Sequence, residues 1–301
     1  MKILVTGAAG MLADSMVPEL RSNGYDVLAT DININVGGCT FLDVRDYNQF
    51  LKIAESFKPD YIFHLAAETD LEKCQSNPDN AFRTNATGTH NAVLIAKKLK
   101  ARLLYVSTAG VFDGEKKKPY TEFDTPIPIN AYGQSKFVGE NYVKDLLDEY
   151  FIVRAGWMMG GYQKDKKFIH KMLDQINSGA KQLYAVGDKF GTPTYAPAFS
   201  KTVVKLINTD FFGLYHGVCK NGASRYEVTA EMLKILGRQD ISLNKVESSY
   251  FSNDYSTPRP TSEVLRNYAL ELRGMDDMPT WQDALKEYLK TEVSNSSQAH
   301  Y

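Results

Sequence analysis

Three features of the 301-residue sequence predict an α/β fold, a doubly wound parallel sheet of Rossmann type joined to a smaller mixed α/β lobe. Short apolar, β-branched runs alternate with helical patterns from Met1 to Arg154, which is the rhythm of βαβ crossovers and of strands buried on both faces. The first of these strands runs into a glycine-punctuated turn and then a helix. Past Trp157 the alternation stops and shorter mixed elements follow. The expected organisation is a sheet domain over residues 1–157, rejoined by about 195–219. A second lobe is expected from 158–194 and 220–292, with a flexible polar tail over 293–301.

The opening stretch carries the most information. Lys2-Ile3-Leu4-Val5-Thr6 is a buried strand that stops at Gly7, and Gly7-Ala8-Ala9-Gly10-Met11-Leu12-Ala13 is a turn leading into a helix that runs to Asn23, with Gly24 as its stop. A second strand, Asp26 to Thr30, ends on Asp31. Strand, glycine turn, helix, strand and acid form the layout of a dinucleotide-binding unit, in which free N–H groups at the helix N-terminus meet a pyrophosphate. Gly7 permits the turn, Gly10 lets backbone approach phosphate, and small Ala13 lets the helix pack close to the sheet. Asp31 would accept hydrogen bonds from the adenosine ribose and repel a 2′-phosphate, which favours NAD(H) over NADP(H).

Further along, Thr40-Phe41-Leu42 is a short strand ending in Asp43-Val44. Asp43 is placed either to contact the adenine amino group or to form a turn. Arg45 to Phe57 is helical, and Tyr61 to Ala67 is another buried strand, in which His64 is a packed residue because no second ligand stands at metal-binding spacing. Pro78 to Lys98 is one long helix carrying Asn85-Ala86-Thr87-Gly88-Thr89, and Arg102 to Val106 is a strand that delivers Ser107-Thr108-Ala109 to its C-terminal end, where ligands sit in open α/β sheets. A loop over Asp113 to Asn130 precedes a helix opening at Ala131, and Phe151 to Arg154 is the next strand. Beyond it come helices over Phe168 to Ser178 and Pro197 to Asn208, and strands over Gln182 to Val186 and Leu214 to Val218. Ser224 with Glu227 makes a capping box for a helix ending at Gly237, and Thr280 caps a last helix from Trp281 to Lys290.

Composition narrows the function classes. A net charge of −1 with 43% hydrophobic residues provides a core but no basic field, so neither nucleic acid nor an anionic membrane is an expected partner. The short runs Lys116-Lys117-Lys118 and Lys164 to Lys167 are solvated loop surface. Cys39, Cys74 and Cys219 are too few and too widely spaced for a disulfide framework or a zinc site, so no metal is expected and a reducing cytoplasm is the simplest home. The chain opens directly on a strand, and no apolar run approaches the roughly 20 residues needed to span a bilayer. A soluble, unsecreted protein is expected.

Tyr132 and Lys136 stand one helical turn apart on a shared face. A free phenol, with a pKa of about 10, is a poor proton donor near neutrality, but an adjacent ammonium favours the phenolate and makes Tyr132 a usable general acid. Lys136 would lower that pKa and also bond the nicotinamide ribose. Thr108 would hold a substrate carbonyl oxygen.

The set Thr6 to Ala13, His64 to Ala67, Ser107-Thr108, Tyr132 to Lys136 and Val153 to Trp157 resembles an extended short-chain dehydrogenase/reductase, and within that superfamily the dTDP-4-dehydrorhamnose reductases. The resemblance implies a catalytic triad of Thr108, Tyr132 and Lys136. It further implies NAD(P) contacts from Gly7, Ala9, Gly10, Met11, Leu12, Asp31, Asp43, Val44, Leu65, Ala66, Ala67, Tyr132 and Lys136. Substrate contacts would come from Thr69, Thr108, Trp157 and Arg259, with Gly191 to Thr194 near the cleft and Arg259 of Pro258-Arg259-Pro260 meeting a diphosphate as a bidentate fork. The implied activity is reduction of a nucleotide-linked 4-keto-6-deoxy sugar. The sequence departs from the family pattern at Ala109-Gly110, where the family has Asp and Tyr, at Thr261-Ser262-Glu263, where it has an Asn-Ser pair, and at Arg266, where it favours an acid.

Two rivals stand beside that reading. An epimerase or dehydratase would use the same cofactor transiently, and Ala109-Gly110 lacks the Asp-Glu pair that dehydratases carry. A non-catalytic NAD(P)-binding regulatory subunit would need only the fold and the pocket. Homodimers are frequent among proteins of this fold, and that prior is the whole basis for expecting one here.

Overall fold

The computed structural model of the chain describes residues 1–35, 38–161, 164–165 and 167–293. Its first half alternates as the hydrophobic pattern requires: β1 (Lys2–Thr6), α1 (Ala13–Ser22), β2 (Asp26–Asp31), β3 (Thr40–Phe41), α2 (Tyr47–Phe57) and β4 (Tyr61–His64). Then come α3 (Leu71–Ser76), α4 (Pro78–Phe82), α5 (Gly88–Leu99), β5 (Arg102–Thr108), α6 (Ala131–Leu146) and β6 (Tyr150–Ala155). The second half contains β7 (Trp157–Met159), α7 (Phe168–Asn177), β8 (Gln182–Val186), β9 (Phe190–Gly191), β10 (Pro193–Tyr195), α8 (Ala196–Ile207) and β11 (Gly213–His216). It closes with β12 (Ala223–Ser224), α9 (Arg225–Ile235), β13 (Ser242–Val246), β14 (Ser262–Glu263), α10 (Tyr268–Leu272) and α11 (Trp281–Tyr288).

Seven strands form one sheet in the order β11-β6-β5-β4-β1-β2-β3, with every pairing parallel. The order reverses between β1 and β4, and the crevice at that switch point lies over the C-terminal ends of both strands. Alternation along β1 sends Ile3 and Val5 into one apolar layer, with Met16 and Leu20 of α1 and Phe199 and Val203 of α8. Leu4 goes to the other, with Phe50, Ile62, Ile95 and Leu103. Both faces are therefore buried, which is why the strand has no polar alternation. The predicted return to the sheet is made by β11, beside β6. It stops at His216, two residues short of expectation, because the Val218 N–H donates to Asn267 Oδ1 at 3.0 Å instead.

The expected single helix Pro78 to Lys98 is interrupted. A π-turn over Arg83–Thr87 joins α4 to α5. The outer lobe is stitched from short strands: β8 with β13, β7 with β10, and β9 between β12 and β14. None of β7, β9, β10, β12, β13 and β14 was predicted: all but the five-residue β13 have two or three residues and carry no periodic signal. Helix α3, of which the sequence pattern gave no sign, packs beside α4 and α6. The last helix runs on as a π-turn over Leu289–Val293, and the expected tail past Val293 lies outside the described residues. So does part of the Lys164 to Lys167 run. Among the described residues no helix is long and apolar enough to cross a membrane.

Candidate active site

The crevice wall nearest the N-terminus is built from backbone. Gly7 has φ +72°, and a Cβ there would lie 2.6 Å from the Ala66 nitrogen, so two strand ends meet where only glycine fits. The Leu65 N–H donates to the Thr6 carbonyl at 3.2 Å and the Ala66 N–H to Thr6 Oγ1 at 3.3 Å, which holds the Leu65–Ala67 segment against the glycine turn. Helix α1 starts without a side-chain cap after Met11 and Leu12, as do α7, α8 and α10, whereas Asp46, Asp70, Asn130, Ser224 and Thr280 cap α2, α3, α6, α9 and α11. An uncapped N-terminus over a glycine cradle fits the pyrophosphate of a dinucleotide. Asp31 is fixed at the end of β2, its Oδ2 accepting from the Ala9 N–H at 3.0 Å and its Oδ1 from the Asn33 N–H at 2.8 Å.

Asp43 and Val44 follow the short strand β3. The Asp43 carboxylate accepts from Arg45 Nε at 2.9 Å and Nη2 at 2.6 Å, and from the Arg45 backbone N–H at 3.0 Å. Those bonds hold its pKa below the usual carboxylate range. Asp43 thus forms a turn with Arg45, and its carboxylate keeps further acceptor sites. Val44 turns its side chain against Gly88, where an added Cβ would lie 2.8 Å from Cγ2.

At the end of β5, Thr108 Oγ1 accepts from the Gly110 N–H at 3.0 Å, and the Thr108 side chain lies where it lowers the Tyr132 pKa. Helix α6 can bring Tyr132 this close because Gly133 and Gly139 have no side chains. A Cβ on Gly133 would lie 2.1 Å from the Gly110 carbonyl oxygen, and one on Gly139 2.4 Å from the Tyr105 hydroxyl. Lys136 is buried, its ammonium 4.2 Å from the Tyr105 ring centroid. Burial pushes Lys136 down to about 7, with Glu140 opposing. Burial pushes Tyr132 up to about 12, offset in part by Thr108 and reinforced by Cys74 and Glu263. The phenol is thus protonated at neutral pH, and its pKa is raised where Lys136 was expected to depress it. The reason is that burial removes water from both groups and weakens the cation itself.

Beneath the trio lies a buried charge network. Arg154 holds Glu140 through Nε at 2.7 Å and Nη2 at 2.6 Å, and Ser107 Oγ donates to Glu140 Oε1 at 2.7 Å. Burial raises the Glu140 pKa, but Arg154, Lys144 and Ser107 outweigh it and keep the carboxylate ionised. Asn85, in the π-turn, accepts from the Glu68 N–H at 2.8 Å and donates to Ser135 Oγ at 3.0 Å, while Ser135 donates to the Tyr132 carbonyl at 2.8 Å. That chain fixes the first turn of α6.

The opposite wall is made of side chains. Trp157 lies flat on Gly191, where a Cβ would sit 2.2 Å from the indole ring, and its Nε1 donates to Glu263 Oε2 at 3.0 Å. The Arg225 guanidinium lies over Trp157 at 5.4 Å and over Phe168 at 5.2 Å. Arg259 is paired with Glu72 at 2.9 Å, and its buried Nε has no hydrogen-bond partner. The expected free bidentate fork is therefore half committed, with Nε left to offer. Thr69 is exposed on the loop between β4 and α3.

The whole chain agrees with known proteins. The family model described as the RmlD substrate binding domain matches residues 1–294. A dTDP-4-keto-6-deoxy-D-glucose reductase of Streptomyces niveus is 30% identical over 285 residues, 94% of this chain and 95% of that one. The crystal structure of a dTDP-4-dehydrorhamnose reductase from Clostridium acetobutylicum superposes with a TM-score of 0.89 at 34% identity, covering 96% of this chain and 99% of that chain. A Bacillus anthracis dTDP-4-dehydrorhamnose reductase, solved in complex with NADP, gives 0.88 at 30% identity, covering 96% and 98%. The chain belongs to the dTDP-4-dehydrorhamnose reductase family of extended short-chain dehydrogenase/reductases.

Several residues that shape this family member's crevice escaped sequence reasoning. Glu72 accepts from Thr257 Oγ1 at 2.7 Å and from the Ser256 and Thr257 N–H groups at 3.2 and 3.1 Å, as well as pairing with Arg259. Asn130 caps α6 and donates to the Pro258 carbonyl at 2.9 Å, tying the Tyr132 helix to the arginine loop. An Asn immediately before Ala131 was a legible N-cap signal. For Glu72, Asn85 and Arg225 the sequence offered nothing, because their roles rest on partners far along the chain.

Proposed function

We propose that the protein is an NAD(P)H-dependent reductase of a nucleotide-linked 4-keto-6-deoxy sugar, with Thr108, Tyr132 and Lys136 as its catalytic residues. The observation that carries this reading is the Thr108–Tyr132 hydroxyl pair set beside buried Lys136 at the mouth of an uncapped, glycine-floored groove. In this assignment residues 1–157 with about 195–219 hold the cofactor, and 158–194 with 220–292 hold the sugar and its diphosphate. A reduced nicotinamide bound in the groove supplies the hydride. Thr108 orients the carbonyl oxygen, and Tyr132, protonated because burial holds its pKa near 12, gives that oxygen its proton. Lys136, softened to about 7, replenishes the phenol and bonds the nicotinamide ribose. Arg225 and the open Nε of Arg259 receive the diphosphate.

Fixed Asp31 supports NADH, while the NADP-bound Bacillus anthracis relative supports NADPH, and comparing KM for the two decides between them. Three free cysteines suit a reducing cytoplasm. The test is Tyr132→Phe assayed with NADH, NADPH and dTDP-4-keto-6-deoxyhexoses. Turnover should fall about 10²–10⁴-fold with NAD(P)H binding retained, and the wild type should consume one NAD(P)H per sugar. A fully active phenylalanine variant defeats the assignment of Tyr132. Interconversion of sugars without net NAD(P)H consumption would identify an epimerase instead.

A further inference from the structure

The pocket contains a carboxylate that the reaction just described does not need. Glu263 enters from β14, paired with β9 so that Glu263 lies opposite Gly191. Its Oε2 is held by the Trp157 indole N–H at 3.0 Å, and the ring that holds it is itself seated on Gly191. Its Oε1 faces Gly110. A Cβ on Gly110 would lie 3.5 Å from Glu263 Oε1 and 3.4 Å from Thr108 Oγ1, so carboxylate and hydroxyl both stand at van der Waals distance from the place a side chain on residue 110 would take. The same carboxylate raises the Tyr132 pKa, which places it within electrostatic reach of the phenol.

A carboxylate repels a diphosphate and only accepts hydrogen bonds when ionised. Its complement is therefore the part of the substrate that carries donors. Burial pushes the Glu263 pKa up, offset only in part by the indole and the cations Arg225, Arg259 and Lys189, and in either protonation state a carboxyl oxygen remains to accept a hydrogen bond. If Thr108 and Tyr132 receive the carbonyl oxygen, a group in the space over Gly110 stands on a carbon next to the carbonyl.

We propose that Glu263 determines specificity: its carboxylate accepts a hydrogen bond from a hydroxyl on the carbon adjacent to the keto carbon, in the space left by Gly110. This rests on the reductase reading for its orientation. A site built to bond a hydroxyl discriminates strongly against the analogue that lacks it.

The test pairs a dTDP-linked 4-keto-6-deoxyhexose with its 3-deoxy counterpart, measuring kcat/KM with NAD(P)H, and measuring calorimetric affinity for the corresponding 4-hydroxy sugars. Wild type should prefer the hydroxylated member about ten- to hundredfold, the range for a hydrogen bond to a charged group. Glu263→Gln should shrink that ratio at least several-fold while NAD(P)H affinity is unchanged. Gly110→Val fills the space with Glu263 still present and should lower the ratio as well, which keeps the proposal testable if the glutamine variant folds poorly. A ratio unchanged in both variants, or absent in the wild type, overturns it. Turnover without discrimination removes the role of Glu263 and leaves the reductase standing. Discrimination in binding without any NAD(P)H-dependent turnover does the reverse.

Discussion

On the cofactor side of the crevice the walls are main chain: the Gly7 turn, the Leu65–Ala67 segment and the bare N-terminus of α1 meet at distances that only absent side chains allow. On the sugar side the walls are side chains, with Trp157, Glu263, Arg225, Arg259 and Glu72 brought together from β7, β14, α9, the loop after Tyr255 and α3. A backbone wall recognises what every dinucleotide shares, a pyrophosphate and a ribose. A side-chain wall can be re-specified one residue at a time, and of the departures of this chain from its family Gly110 and Glu263 fall there, whereas Arg266 is exposed and pairs with Glu271. The difference predicts that damage on the first side abolishes binding outright, whereas damage on the second changes affinity and choice.

The largest effect should come from Gly7→Ala. The new methyl would meet the Ala66 nitrogen at 2.6 Å in a backbone of φ +72°, so β1 and β4 must separate at the place proposed for the pyrophosphate. NAD(P)H affinity should fall by about two orders of magnitude or more, as expected for at least ~3 kcal/mol of strain and lost contacts. Titration of cofactor fluorescence measures it. Near-normal affinity would show that the groove floor is pliable and would break the contrast.

The same contrast governs what was legible beforehand. The cofactor side could be deduced from a local string of residues, because strand, glycine turn, helix and acid lie within Met1 to Asp31 and their spacing alone dictates the geometry. Tyr132 and Lys136 were legible for the same reason, one turn of one helix. What failed was their electrostatics. Water exclusion is a tertiary property, and it reversed the expected direction of the Tyr132 shift. Arg259 was found through its proline-flanked motif, but its partner Glu72 sits on a six-residue helix with no amphipathic pattern. Glu263 was visible only as a departure from the family, and its place beside Gly110 required the β9–β14 register.

A smaller effect, on stability, tests whether the two sides are linked through their common base. His64 lies under the cofactor groove, its Nδ1 2.9 Å from Thr6 Oγ1, and His216 lies beside Arg154 on the far edge of the sheet. Burial pushes both down to about 3, assisted by Lys136 at His64 and by Arg154 at His216. Since the folded values lie below the unfolded value of 6.5, the stability held by neutral burial is intact above that pH. It is lost as pH falls from there toward 3, because only the unfolded chain takes up the protons. Each histidine should cost roughly 2.7 kcal/mol by the time pH reaches about 4.5. Denaturant melts across that range should show the loss, and His64→Asn, which keeps an acceptor for Thr6, should reduce the pH slope by about one proton. An unchanged slope would mean that His64 is charged or solvated in the native protein.

The smallest effect expected is also the one that separates the two walls most cleanly. Glu72 touches no part of the glycine groove, yet its two oxygens gather the Ser256 and Thr257 N–H groups, the Thr257 hydroxyl and Arg259 Nη2. Glu72→Ala removes the post to which the arginine loop is tied. It also releases the half of the guanidinium fork that pairs with Glu72. These consequences oppose each other. A freed fork can grip a diphosphate with both arms, but a loosened loop must be ordered each time substrate binds. Because several hydrogen bonds are lost against one donor freed, ordering should dominate, and KM for the nucleotide sugar should rise about tenfold, or ~1.4 kcal/mol. NAD(P)H affinity should not move, since Asn130 still joins the Tyr132 helix to Pro258. Steady-state kinetics with each substrate varied in turn would show it. A fall in KM would mean that Glu72 restrains Arg259 rather than presenting it, and that the sugar wall is closed by its own ion pair until a diphosphate opens it.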